Sequence, residues 1–170
     1  MQNTARVLTV FLLCFAGMQA QTQRPGAQLA PDSPELYKSF FYTHDDLSNF
    51  IDQKSAAEPA SKSRLDDGAS RTLGVNQGDL AKISVVSKQV VADLKKIDDD
   101  ERRHLNQRAR LELGGDPALM KGFAAKRLTT VSEGVDKLNK TLSTDSWTGL
   151  RKFVNERHRN DVRVIEAGKK

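Results

Sequence analysis

The chain has 170 residues, 27 Lys+Arg against 22 Asp+Glu, and a single cysteine, Cys14. One cysteine excludes an intramolecular disulfide framework. The length is sufficient for one modest hydrophobic core.

Residues 1–20 read as an export signal. Arg6 gives a positive start, and Val7 to Ala16 is an apolar run too short to span a bilayer. A cut after Ala20 would remove Cys14 and leave Gln21 first. The mature chain then has no thiol and no transmembrane helix, and its expected location is periplasmic or extracellular, in a bacterial envelope. The remaining charge is polarised: residues 21–100 hold 10 basic and 13 acidic side chains, residues 101–170 hold 16 and 9. A basic half suits an acidic or anionic partner. Export argues against nucleic acid, which is not expected as a partner.

Gln21 to Asp32 is rich in Gln, Pro and Ala and reads as a disordered leader at 21–32. Ser33-Pro34-Glu35 is a helix start, with Ser as N-cap and Pro at the first helical position. The first helix is expected to run to about Lys54. Its stripe is Leu36, Tyr37, Phe40, Phe41, His44, Leu47, Phe50 and Ile51, spaced by threes and fours. A loop and a short helix, about Ala60 to Leu73, follow, and Gly74 suits the helix end.

Asn76 is the next N-cap, with Asp79 in the partner position of a capping box and Val75 and Leu80 placed to staple across it. The long helix that follows is expected over about 77–113, roughly 55 Å. Its stripe is Leu80, Ile83, Val86, Val90, Leu94 and Ile97. It thins at Asp98 to Arg103, resumes at Leu105, Ala109 and Leu113, and stops at Gly114-Gly115. Asp116-Pro117 starts another helix, which ends at Leu142. Ser143 caps the last one, with Leu142 and Trp147 as the staple. That helix presents Trp147, Leu150, Phe153 and Val154 and fades near Arg159. Asp161 to Lys170 reads as an extended tail, basic at 166–170. No segment alternates long enough to form a strand. The expected fold is all-α: a small bundle of three to four main helices in a single domain, 33–165, without a sheet.

Glu101 and His104 have the Glu-x-x-His spacing used by di-iron bundles. Such sites need a second pair, and neither His44 nor His158 has a Glu three residues before it. His44, Glu101 and His104 therefore form only a polar cluster to be tested in space. No serine lies in a nucleophile elbow, and Gly114-Gly115 precedes an acidic Asp-Pro rather than forming a phosphate loop. No catalytic residue, metal or cofactor is expected. The strongest polarised feature is the basic run Arg151, Lys152, Arg157, Arg159 and Arg163, a candidate interaction surface. Asn139-Lys140-Thr141 matches a glycosylation sequon but falls inside an expected helix.

The series Leu36-Tyr37-x-x-Phe40-Phe41-x-x-His44, a linker, then Leu142-Ser143, Trp147, Leu150 and Phe153-Val154 resembles small secreted bacterial proteins of unknown function. That resemblance implies helical structure and no particular activity. Leu142-Ser143-Thr144-Asp145-Ser146 and Leu128-Thr129-Thr130-Val131-Ser132 also resemble the Leu-Thr-x-x-Gln helix starts of the Spy/CpxP periplasmic chaperones, without the Gln. This similarity implies an all-helical, exported, chaperone-like protein. The expectation is thus a non-enzymatic exported protein that binds another protein or an envelope surface, with the charged flanks beyond Phe153 and around Asp98 to Arg110 favoured as its working parts. The alternatives are a metal-dependent or hydrolytic enzyme using Glu101, His104 and His44, and a binder of small apolar ligands around Phe40, Phe41, Phe123 and Trp147.

Overall fold

The computed structural model describes residues 28–162, all within one compact unit. The expected export signal, residues 21–27 of the leader, and everything from Arg163 onward lie outside the described residues. The described chain is all-α, without a strand.

Helix α1 covers Pro34–Ala57, and its cap forms as the sequence requires: Ser33 Oγ accepts from the Leu36 N–H at 3.3 Å. Its buried face is Leu36, Tyr37, Phe40, Phe41, His44, Ser48 and Ile51. Each large side chain removed from water there contributes about 1.5–3 kcal/mol. A 3-10 turn, Pro59–Ser61, leads into α2, Lys62–Leu73. Gly74 closes α2 in the left-handed region at φ 69°, which glycine adopts without a Cβ penalty.

Helix α3, Gln77–Arg110, and helix α4, Pro117–Thr141, form an antiparallel hairpin. Its pairing can be followed from end to end. Lys82 Nζ reaches the Thr141 carbonyl at 3.0 Å. Val90 meets Gly134, and Arg127 pairs with Asp98. His104 stacks at a tilt on Phe123, and Arg108 pairs with Asp116. Helix α1 packs across this hairpin where Gly134 leaves room. A Cβ there would lie 2.5 Å from Val90 Cγ2 and 3.1 Å from Phe41 Cζ.

Helix α5, Thr144–Lys152, continues through a π-helical stretch, Phe153–His158, into a last turn, Arg159–Asp161. It closes the bundle with Leu150 and Val154 fully buried and Trp147 stacked on Tyr37 at 6.5 Å. The N-terminal ends of α3 and α5 are cross-linked by Asp79, which is buried. Asn76 caps α3 by accepting from the Asp79 N–H at 2.8 Å. The Asp79 carboxylate does not return to the Asn76 N–H to close a capping box. It accepts from the Asn76 side-chain Nδ2 at 2.8 Å, and also from Ser143 N–H at 3.1 Å, Ser143 Oγ at 2.7 Å and Lys82 Nζ at 2.6 Å. The Asn76 N–H donates to Ser146 Oγ at 3.2 Å. The local motif has become a tertiary clasp because another helix start supplies better donors.

Three expected boundaries change. The first helix runs past Lys54 to Ala57. The long helix ends at Arg110 and not near Leu113. Glu112 takes the left-handed position at φ 51°, Leu113 N–H bonds back to the Arg108 carbonyl at 3.0 Å, and Glu112 N–H to that of Ala109 at 3.2 Å. This is a Schellman closure with Glu where glycine is usual; Gly114 and Gly115 follow it in ordinary backbone. The third change concerns the leader. Residues 28–32 lie on the bundle, with Leu29 packed against the core.

Candidate functional site

The polar cluster separates in space. His44 lies in the buried face of α1, and its Nδ1 contacts Ser48 Oγ at 3.3 Å. Ser48 Oγ in turn contacts Ser84 Oγ at 3.0 Å, which places His44 beside residue 84 of α3. Glu101 and His104 lie some 17 and 20 residues further along that helix, roughly 25–30 Å away by helical rise. Glu101 pairs with Arg127. The three residues do not share a site, so the enzyme reading that needed them together loses its geometry. Among the described residues no group of three or more His, Cys, Asp or Glu side chains is placed to hold a metal ion.

The basic run is divided between fold and surface. Arg151 donates through Nε to Asp32 Oδ1 at 2.9 Å and through Nη2 to Oδ2 at 2.5 Å, a two-point clamp. Asn155 exchanges hydrogen bonds with Asp32 at 2.8 and 2.9 Å. Arg159 Nε donates to the Leu29 carbonyl at 2.5 Å. The Arg151 guanidinium holds the Asp32 carboxyl down at about 2, with the Asn155 amide assisting. Arg151 and Arg159 thus strap residues 28–32 to α5. Lys152 and Arg157 are exposed, and Arg163 lies outside the described residues. The signal for the strap is the spacing by four of Arg151, Asn155 and Arg159 on one helix face. Nothing local indicated that Asp32, 119 residues away, was the partner of Arg151.

The far end of the hairpin contains the flank around Asp98 to Arg110 that the sequence favoured. Helix α1 covers the hairpin as far as Asp98 and Arg127, where Tyr42 lies within the field of both charges. Beyond that point the ion pairs and ring contacts among the described residues run between α3 and α4. Arg127 ties Asp98 and Glu101 to α4, and Phe123, 4% exposed, is held beneath His104 and Lys126. Arg108 donates through Nε and Nη2 to the Gly114 carbonyl at 3.0 and 2.8 Å, fixing the turn. Large apolar side chains nevertheless remain outside. Leu111 is 61% and Leu113 51% exposed, and Leu105 and Met120 of the same two helix ends are exposed as well. Residues 102–126 carry six basic and two acidic side chains; Arg102, Arg103 and Arg108 pair with Asp99, Asp100 and Asp116, which leaves Arg110, Lys121 and Lys126 as the basic side chains of this end outside an ion pair among the described residues.

A cavity of about 330 Å³ opens between α1, α2 and the first turns of α3. His44, Leu47, Ser48, Ile51, Ala69 and Leu80 form much of its wall. Two surface ion pairs border it, Lys88–Asp52 at 2.9 Å and Lys62–Asp66 at 3.3 Å. Burial, reinforced by the Lys88 charge, pushes the His44 imidazole down to about 4, so the ring is neutral at physiological pH. The side chains expected to surround an apolar ligand do not make this space. Phe40, Phe41 and Phe123 are buried in packing, and Trp147 lies against Tyr37.

No family model, curated protein or solved structure matches the chain. No helix among the described residues is long and apolar enough to cross a membrane.

Proposed function

We propose that this is an exported, non-enzymatic binding protein of the bacterial envelope, and that the free end of the α3–α4 hairpin is the part that grips a protein partner in a chaperone-like manner. The observation that carries this reading is the exposure of Leu105, Leu111, Leu113 and Met120 on an arm that is otherwise braced by ion pairs and a buried Phe123. A segment that needed only to fold would gain by turning such side chains inward or replacing them. Contiguous apolar groups rimmed by charge mark interaction surfaces. The ties through Arg127 and Arg108 hold the surface in one shape, which lowers the ordering cost of binding. The surrounding basic side chains favour acidic partners and make the attachment sensitive to salt.

The test uses the purified chain with an unfolded client protein and, separately, with envelope extracts at low and high salt. Suppression of client aggregation, or salt-sensitive capture of an envelope protein, is expected. The double substitution Leu111→Ser/Leu113→Ser should remove either effect while leaving the helical signal and melting temperature near those of the parent. If neither effect appears at low salt, or if the double variant retains both in full, the reading fails.

A further inference from the structure

Phe40 of α1 touches two histidine rings. Its centroid is 5.6 Å from that of His44 and 6.0 Å from that of His158, which also stacks on Phe153 at 6.4 Å. Phe40 and both histidines are buried. Each imidazole meets a neutral hydroxyl: His44 Nδ1 lies 3.3 Å from Ser48 Oγ, and His158 Nε2 lies 3.2 Å from Ser39 Oγ. Among the described residues neither ring is bonded to a carboxylate. His44 Nε2 is enclosed and has no hydrogen-bond partner. An imidazolium here would place a charge and an unanswered N–H where no water reaches, which is costly. Proton uptake by this core therefore requires that it open. The charges nearby do not compensate. Lys88 of α3, paired with Asp52, opposes a positive His44, and the Lys62–Asp66 pair of α2 borders the cavity that His44 lines. Asp45 follows His44 on α1. Asp161, three residues after His158, is the one charge that favours protonation of His158, and burial outweighs it.

We propose that Glu156 to Asp161 is an acid-released flap: proton uptake by His158 and His44 frees this segment from α1 and from residues 28–31, while the rest of the bundle stays closed. Three hydrogen bonds hold the segment, and all are of a kind that local opening breaks. They are His158 to Ser39, Arg159 to the Leu29 carbonyl at 2.5 Å, and Asn160 to Gln28 at 2.9 Å. The helix before it is anchored differently. Arg151 and Asn155 grip Asp32, and Ser143 grips Asp79. Both carboxyls are held far below their usual range, Asp32 at about 2, so these anchors keep their charge when the histidines titrate. The hinge then falls in the π-helical stretch that begins at Phe153; such stretches are rare and often mark moving or functional parts. Opening uncovers Phe40, Phe153 and Leu29, an apolar surface that the closed protein hides. The device is separate from the hairpin end and stands or falls independently of it.

The test is hydrogen exchange of the full chain, followed residue by residue by NMR at pH 7 and pH 5 and corrected for the intrinsic rate. Protection of the amides at 159–162 should fall at least about threefold on acidification. Amides in the middle of α3 and α4 should keep theirs, and Trp147, on the anchored side of the hinge, should keep its emission. His158→Phe retains a ring against Phe40 and Phe153 but cannot take a proton, so the segment should stay protected at pH 5. His44→Phe should reduce the fall. Protection that falls evenly over all helices, no fall at 159–162 in the parent, a shift of Trp147 emission in step with the fall, or a parent-like fall in His158→Phe would each overturn the proposal. The first three are read on the parent protein and do not depend on the folding of a variant.

Discussion

A Cβ placed on Gly149 would lie 2.0 Å from the carbonyl oxygen of Gly74. The α2–α3 connection and α5 touch backbone to backbone at this point, and neither element can carry a side chain there. Gly149→Ala must push the elements apart, and its neighbours are backbone atoms that cannot rotate away. It should cost about 1–3 kcal/mol or more. Gly68→Ala is the control: it sits within α2, with nothing within 4 Å of its Cβ position, and should be neutral or stabilising by up to about 1 kcal/mol. Denaturant titration of both variants separates the two outcomes.

Asp79 joins the starts of α3 and α5. Hydrogen bonds from Lys82 and Ser143, the former the stronger influence, hold its carboxyl well below the usual 3.8. The folded value is depressed, so the stabilisation is present above the ordinary carboxylate range and is lost as pH falls through and below it. Asp79→Asn should lose about 2 kcal/mol at neutral pH. The gap between parent and variant should close on acidification below about pH 3. Melting curves taken between pH 7 and pH 2 check the convergence.

His44 predicts a pH dependence in a different window. Its folded value, about 4, lies below the ordinary 6.5. Between these values the unfolded chain binds a proton that the folded protein does not. Stability therefore falls as pH drops from about 6.5 towards 4, by at most about 1.4 kcal/mol per pH unit from this group. His158 is lowered by burial as well and acts in the same direction. His44→Gln should flatten the slope without abolishing it, leaving the His158 share. Equal slopes in parent and variant would contradict the burial assigned to His44.

Glu112 occupies a left-handed position at the turn of the hairpin, φ 51°. A residue with a Cβ costs about 1–2 kcal/mol there. Glu112→Gly should recover part of that, about 1 kcal/mol, with no change in the rest of the bundle. Gly115→Ala, whose Cβ would meet nothing within 4 Å, should show no comparable sensitivity. Hydrogen exchange of the Leu113 amide, which closes the Schellman turn, reports the effect locally.

The amino-acid sequence by itself determined the helices, their starts and most of their buried faces. Ser33, Asn76, Asp116 and Ser143 all cap as their positions require. Capping and amphipathic spacing act within a few residues, so they are legible without a fold. Tertiary structure decided the partners. Asp79 kept local partners in Asn76 and Lys82 and gained a distant one, because Ser143 presents two donors to it. Arg151 had the appearance of a free surface cation until Asp32 was placed against it. Glu101 and His104 kept their spacing, yet His44 was set far along the bundle from them. The open end of α3–α4 depended on where α1 stops, and the polar contacts of His44 on hydroxyls from two helices. Charge pairing and cavity shape depend on segments remote in sequence, and their positions follow only from how the buried faces pack together.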